Sequence, residues 1–167
     1  FNGTIVANVD FSGLDLSEAS IQNIDFSGVN FNQTDLKGLD LSGMAFNSAV
    51  FKDAIMTNVN FSNANLKNVV FKDSCLLSGL NLSGANLYQS FFDLDDDIDV
   101  SSITFDNTDL SFSTMMTMNL SGINFSSSLL LGCNLRDSDL SSANLTGVNF
   151  LGADLVSVDF TSADLTN

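Results

Sequence analysis

The sequence predicts an all-β solenoid, in which the chain turns a corner after each short extended segment. The main observation is an apolar residue at every fifth position, in three runs: Phe1 to Leu76, Leu82 to Phe92, and Val100 to Leu165. A period of five matches neither the 3.6 residues of a helix nor the two residues of a flat strand. A chain that bends after each segment can instead turn one apolar side chain inward per segment. We call that residue the centre of its repeat.

The slots around each centre support the same geometry. The second residue before it is mostly apolar or small, and the residue directly before it is mostly Asp or Asn, as strand alternation over three residues would require. All 11 glycines lie two residues after a centre or three before the next one. Glycine, Asn, Asp and Ser are the residues that bends favour. Proline, which cannot donate to a backbone ladder, is absent.

The cleanest repeats are Ala64-Asn65-Leu66, Ala143-Asn144-Leu145 and Ala153-Asp154-Leu155. This pattern, repeated along nearly the whole chain, resembles the pentapeptide-repeat family. The resemblance implies a right-handed parallel β-helix with four repeats per coil, which gives about eight four-sided coils. We expect residues 1–167 to form a single domain. Because solenoids usually carry caps and none is visible here, we also expect a fragment of a longer chain.

Residues one coil apart should stack at the strand spacing. One inward column then forms the structural core, and a second contains Met56 and Leu76. Two irregularities interrupt the count. The step from Leu76 to Leu82 is six residues, which places one extra residue near Leu77-Ser78, and the longer step from Phe92 to Val100 predicts a corner loop near residues 93–99. The phenylalanines of the first column are Phe11, Phe31, Phe51, Phe71 and Phe92.

Charge and composition exclude several function classes. The formal net charge is −15, from 20 acidic and 5 basic residues, which argues against direct binding to nucleic acid or to an anionic membrane surface. There is no signal-peptide pattern and no apolar run of spanning length, so we expect no membrane span in this segment and leave the compartment open. Histidine is absent and no catalytic constellation is visible, so we predict neither an enzyme nor a cofactor.

The two cysteines are predicted to lie too far apart for a disulfide. Cys75 occupies a predicted outward slot and Cys133 an inward one, about three coils away. We therefore expect no disulfide.

The predicted corner loop is one candidate contact surface, because a loop that projects from a rigid scaffold is a common place for partner binding. An alternative is calcium binding, since Asp93, Asp95 and Asp97 copy the start of an EF-hand loop. The rest of that motif is missing, because Ile98 stands where its Gly should be. The acidic residues of the loop are Asp93, Asp95, Asp96, Asp97 and Asp99.

Apolar residues in outward slots are the second candidate surface, because exposed apolar clusters can mark interfaces. Val50 lies one coil below Val70, and Ile55 one coil below Cys75 on the adjoining face. A third cluster comprises Leu129, Leu131 and Leu151.

These features favour a non-catalytic structural and protein-interaction module. The resemblance implies a setting such as the repeat domain of a secreted bacterial effector, packed on a neighbouring domain or associated end to end. A second hypothesis, also implied by the resemblance, is a DNA mimic that binds a topoisomerase such as gyrase. Calcium binding through the loop is the third. The sequence predicts a protein partner without naming it.

Overall fold

The computed structural model describes residue 6 and residues 8–166. Short extended segments alternate with bends along this whole range, and the described residues contain no helix. Three segments are long enough to be strands: β1 (Val50–Lys52), β2 (Val70–Asp73) and β3 (Phe91–Leu94). They form one parallel sheet in the order β1-β2-β3. The remaining segments pair through single parallel bridges.

The bridges connect each segment to the one directly above it in the next coil, and they define four faces. Each face carries one column of outward residues, the slot just before each centre. Face 1 contains the three strands, and its column runs from Asp10 through Val50, Val70 and Phe91 to Asp154. On face 2 Asp15, Asp35, Ile55 and Leu76 pair in turn, and Asn119, Asp139 and Asp159 pair in the later coils. Face 3 includes Asp40, Asn60, Asn81 and Thr104, and face 4 includes Asp25, Asn65, Asp109, Leu129 and Asn149.

The corners are β-turns that close just after each centre. For example, the N–H of Leu14 donates to the carbonyl of Phe11 at 3.2 Å, and the intervening Gly13 has φ +70°. A positive φ at the third residue is the requirement of a type II turn. Asn58, with φ +58°, fills the same position in a later coil. The predicted role of the slot two residues after the centre is therefore confirmed.

The predicted phenylalanine column forms the core of the first coils. The ring centroids of Phe31 and Phe51 are 5.0 Å apart, and those of Phe71 and Phe92 are 4.9 Å apart, with each pair stacked. Phe51 is completely buried, whereas Phe11 at the lower end of the column is half-buried. Such offset ring pairs add stabilisation beyond the burial of their area. Phe1, the first predicted centre, lies outside the described residues.

The predicted register around Leu76 is wrong by one residue. Leu76 points outward, is 50% exposed and pairs with Ile55, whereas Leu77 is 2% exposed and is the true centre. The extra residue lies earlier, in the six-residue step from Phe71 to Leu77, where β2 continues to Asp73. The physical reason is the turn that follows. With Leu77 as centre, Gly79 takes the left-handed position at φ +70°.

The same shift corrects the position of Cys75, which was predicted to point outward. Its side chain is buried, and its Sγ lies within hydrogen-bond distance of two backbone carbonyls that can share its proton, those of Phe51 at 3.0 Å and Lys72 at 3.1 Å. The outward neighbour of Ile55 is therefore Leu76. Cys133 is buried as predicted, and both cysteines are free thiols.

The corner loop after Phe92 has the predicted place. β3 ends at Leu94, the chain bends at Asp96–Asp97, and the inward column resumes at Val100, which is 3% exposed. In the coil below, the extra residue after Phe71 lies at the same corner, between faces 1 and 2. The two irregularities are joined by a hydrogen bond from Ser74 Oγ to Asp95 Oδ2 at 2.5 Å.

Candidate interaction surfaces

The carboxylates of the corner loop have different partners. Asp93 forms an ion pair with Lys72 Nζ at 2.8 Å, and Asp95 accepts the hydrogen bond from Ser74. Asp99 Oδ1 accepts from the N–H of Ser101 at 2.9 Å. Asp96 and Asp97 are exposed and make no hydrogen bond or ion pair with the described residues. The loop therefore presents two uncompensated carboxylates to solvent.

The loop carboxylates do not assemble into a cation site. A calcium ion needs six to eight oxygen ligands that converge on one point. Over residue 6 and residues 8–166, no group of three or more His, Cys, Asp or Glu side chains is placed to hold a metal ion. The EF-hand-like spacing of Asp93, Asp95 and Asp97 gives no convergent set because two of these carboxylates already bind Lys72 and Ser74.

Many of the other acidic side chains serve the turns. In the slot before the centre, an Asp or Asn Oδ1 accepts from the backbone N–H two residues later, as Asp159 does from Thr161 at 2.8 Å. The Thr161 hydroxyl donates to the same oxygen at 2.6 Å. These hydrogen bonds lower the pKa of Asp159, and those from Ser101 lower the pKa of Asp99. The carboxylates of this slot therefore have a structural use in the turn.

Charge is distributed unevenly along the solenoid axis. Four of the five basic residues precede residue 93, whereas more than half of the 20 acidic residues follow it. Lys52 and Lys72 are both engaged at the corner between faces 1 and 2, where they pair with Asp73 and Asp93. Arg136 pairs with Asp154 at 3.3 Å. The later coils thus carry an excess of negative charge that the chain does not neutralise.

An exposed apolar surface lies at the corner between faces 4 and 1. The backbone N–H of Phe112 donates to the carbonyl of Leu131, and that of Gly132 to the carbonyl of Leu151, so these turns stack in consecutive coils. Leu151 is 73% exposed and Phe112 is 48% exposed. Tyr88, one coil below, meets the Phe112 ring edge-on with centroids 5.4 Å apart. We call Tyr88, Phe112, Leu131 and Leu151, together with Leu129 on face 4, the apolar ridge.

Phe112 has an unusual backbone conformation within the ridge. Its φ is +60°, in the left-handed position that Gly, Asn, Asp or Ser fills in most other turns. A bulky aromatic residue at positive φ is a genuine outlier, and such strain clusters at functional sites. Sequence reasoning predicted Leu129, Leu131 and Leu151 as a cluster but missed Phe112. The available signal was that Phe112 is one of the few phenylalanines outside the five-residue pattern.

The other predicted apolar pair, Val50 and Val70, lies on face 1. Both side chains are half-buried, and the next residue in their column is Phe91, which is 41% exposed. Phe91 also lies outside the five-residue pattern and was not predicted as a surface residue. The apolar part of this column therefore runs from Val50 through Val70 to the exposed Phe91, which lies in the coil that carries the corner loop.

The described residues offer little for catalysis. Both thiols are buried, and burial raises the pKa of Cys75 and raises that of Cys133 to about 11. A thiol with a raised pKa is a poor nucleophile near neutral pH because the thiolate is the reactive form.

No helix within the described residues has the length and apolar character needed to cross a lipid bilayer. The exposed surface features are therefore the apolar ridge, the acidic loop and the outward columns.

The repeats of this chain match a known protein family. The model for pentapeptide repeats matches eight copies, over residues 1–33, 34–73, 119–155 and 133–167. The chain belongs to the pentapeptide-repeat family. This match confirms the predicted resemblance. Pentapeptide-repeat proteins form right-handed quadrilateral β-helices, and the chain has this fold.

Solved structures of other pentapeptide-repeat proteins are similar to the chain. Trypsin-treated QnrB1, a plasmid-mediated fluoroquinolone resistance protein, is 22% identical over 100% of this chain and 77% of its own, with a TM-score of 0.54. HetL, involved in heterocyst differentiation regulation in the cyanobacterium Nostoc, is 21% identical over 99% of this chain and 86% of its own, with a TM-score of 0.33. At 22% identity the likeness to QnrB1 concerns the fold. A search of curated proteins found no match.

Proposed function

We propose that this pentapeptide-repeat chain is a non-catalytic protein-interaction module whose main contact surface is the apolar ridge. The observation that carries the proposal is the stacking of Phe112, Leu131 and Leu151 at one corner, with Leu151 73% exposed. Most other turns place Ser, Thr, Asn or Lys at the slot that Leu131 and Leu151 occupy. A contiguous exposed apolar patch of this kind marks interaction sites in soluble proteins.

The surroundings of the ridge match the anatomy of a protein interface. Aromatic side chains, which are enriched at binding hot spots, lie at its lower end in Tyr88 and Phe112. Polar residues border it, with Asn134 on face 1 and Asn149 on face 4. An apolar centre with a polar rim is the usual arrangement of a specific interface. The occupant we expect is an apolar surface of another protein or of a neighbouring domain, such as the catalytic domain of a secreted bacterial effector.

The test uses Leu131→Ser combined with Leu151→Ser. Serine is common at this slot, as Ser141 shows, so the fold should be retained. The matched control is Val156→Ser, which changes a 49% exposed apolar residue in the same slot at the adjacent corner. Proteins cross-linked through a photoreactive residue at position 151 are identified and purified. Their affinities for each variant are then measured by calorimetry.

We expect the double variant to lose at least about tenfold in affinity, equivalent to about 1.4 kcal/mol, while Val156→Ser binds as the parent chain does. Circular dichroism checks that all variants stay folded. Equal binding by the double variant, or the absence of any purified protein that binds saturably, would overturn the proposal.

A second candidate function is the predicted binding of a DNA topoisomerase such as gyrase by mimicry of DNA. The observation that favours it is the excess of negative charge in the later coils, where face 2 carries Asp139 and Asp159 in one column. Against it, asparagine interrupts this column at Asn119. A gyrase supercoiling assay tests the idea directly. Unchanged supercoiling at micromolar protein would dismiss it, and inhibition that Asp139→Asn with Asp159→Asn relieves would support it.

A further inference from the structure

The two irregularities of the winding create a groove on face 2 that lies apart from the apolar ridge. The extra residue after Phe71 turns Leu76 outward, and the corner loop one coil above extends beside it. The space between them has a volume of about 450 Å³ and is lined by Thr57, Leu76, Ser78, Asp97, Ile98 and Asp99.

The floor of the groove is apolar. Leu76 is 50% exposed and pairs with the half-buried Ile55 in the coil below. Ile98, also half-buried, forms the side of the groove that belongs to the loop. In most other repeats the slot of Leu76 is filled by Asp or Asn, which hydrogen-bonds to its own turn. Leu76 has no side-chain acceptor for this hydrogen bond, and it exposes a large apolar side chain instead.

The rim of the groove is anionic and uncompensated. Asp97 makes no hydrogen bond or ion pair with any described residue, and Asp99 uses Oδ1 for the N–H of Ser101. The nearest cation of the loop, Lys72, is bound to Asp93 at 2.8 Å. A ligand that supplies a positive charge here would therefore not compete with an internal ion pair.

From this charge and shape we propose that the groove binds an extended segment of a partner protein in which an Arg or Lys is adjacent to a bulky apolar residue. The apolar side chain lies against Leu76 and Ile98. The basic side chain reaches the carboxylates of Asp97 and Asp99, with its aliphatic part along the apolar floor. Charge-assisted hydrogen bonds fix its orientation. This binding is separate from the contact proposed at the ridge.

The test is an array of pentapeptides in which two adjacent central positions are varied over all amino acids. The full chain, fluorescently labelled, is applied to the array. We expect enrichment of peptides that pair Arg or Lys with Leu, Ile, Val, Phe or Met. The best peptide is then titrated by fluorescence anisotropy at low and high salt. Binding should weaken at high salt because the Arg or Lys faces carboxylates.

Two variants and one control assign the binding to the groove. Leu76→Asn installs the residue usual for that slot and should weaken binding at least tenfold, and Asp97→Asn should weaken it several-fold. The control, Val156→Ser, changes a 49% exposed apolar residue that belongs to neither the groove nor the apolar ridge, and should leave peptide binding unchanged. The proposal fails if no basic-apolar peptide is enriched, or if Leu76→Asn and Val156→Ser bind equally. Neither result would bear on the ridge variants.

Discussion

The Phe112 ring lies directly over the backbone of Gly132 in the next coil. A Cβ atom added at Gly132 would be 2.6 Å from Phe112 Cε1, closer than two carbons can approach. Gly132 is thus required twice, by its φ of +63° and by the Phe112 ring that packs against its backbone. The Phe112 side chain can therefore keep its position on the apolar ridge only because residue 132 has no side chain.

Gly132→Ala should destabilise the chain more than Gly122→Ala. Both glycines have a left-handed φ, +63° and +70°, so each alanine carries a similar backbone cost of about 1–2 kcal/mol. Only Gly132 has a neighbour within 4 Å of its added Cβ, since Gly122 faces open space. Urea unfolding measures the difference. Phe112→Ala should remove it, and an unchanged difference in that background would contradict the assigned contact.

Leu77→Ala should cost about 2–5 kcal/mol of unfolding free energy, the usual range for a buried leucine. Leu76→Ala should change it by about 0.5 kcal/mol or less, because half of that side chain is already in water. Urea unfolding of both variants checks the register of this coil. A reversed order would place the extra residue after Leu76 instead of before it.

The free energy of unfolding should fall as the pH drops below about 4. Hydrogen bonds lower the pKa of Asp99 and Asp159 in the folded chain. A carboxyl with a lowered folded-state pKa stabilises the fold above its unfolded pKa and loses that contribution as the pH falls through the folded value. Unfolding in urea between pH 2 and pH 7, both approximate limits, measures the slope.

Two substitutions at position 159 distinguish the contribution of the hydrogen bond to stability from that of the negative charge. Asp159→Asn keeps an oxygen that accepts from the N–H of Thr161, so it should stay close to the parent in stability at neutral pH. Asp159→Ala removes that acceptor and should be less stable than Asp159→Asn. Equal stability of the two variants at neutral pH would show that the turn does not need the acceptor.

Cys75 and Cys133 should not react with Ellman's reagent in the folded chain near pH 8, and both should react in urea. Each thiol is buried, and burial raises the pKa of Cys133 to about 11. Because the unfolded thiol ionises at a lower pH, stability from Cys133 is complete below its unfolded pKa and declines as the pH rises above it. Cys133→Ala should remove part of the alkaline slope. Rapid labelling of the folded chain would contradict the burial of both thiols.

Sequence periodicity was enough to predict the core. The Phe31 and Phe51 rings stack because each is the centre of its repeat and the two repeats lie one coil apart. The corner loop was equally predictable, since the long step from Phe92 to Val100 leaves residues that no regular repeat accommodates. Both predictions are strong because the five-residue spacing of apolar residues is the same in many repeats.

Local choices between similar residues were not predictable in the same way. Leu76 and Leu77 are chemically alike, so the apolar pattern alone could not decide which is buried; the deciding evidence was Gly79, two residues after Leu77. Phe112 was missed as a surface residue because its slot normally contains a turn-forming residue. The different roles of Asp93 and Asp97 depend on where Lys72 ends, which sequence spacing does not specify.

The turn hydrogen bonds of the outward carboxylates have a consequence for engineering. Asparagine offers the same acceptor oxygen as aspartate, and the chain already uses both at this slot, as in Asn134 and Asp154. Exchanging Asp and Asn at this slot should therefore change the charge of individual coils without altering the backbone fold. Solubility, steering of charged partners and self-repulsion become adjustable properties, independent of the scaffold that displays them.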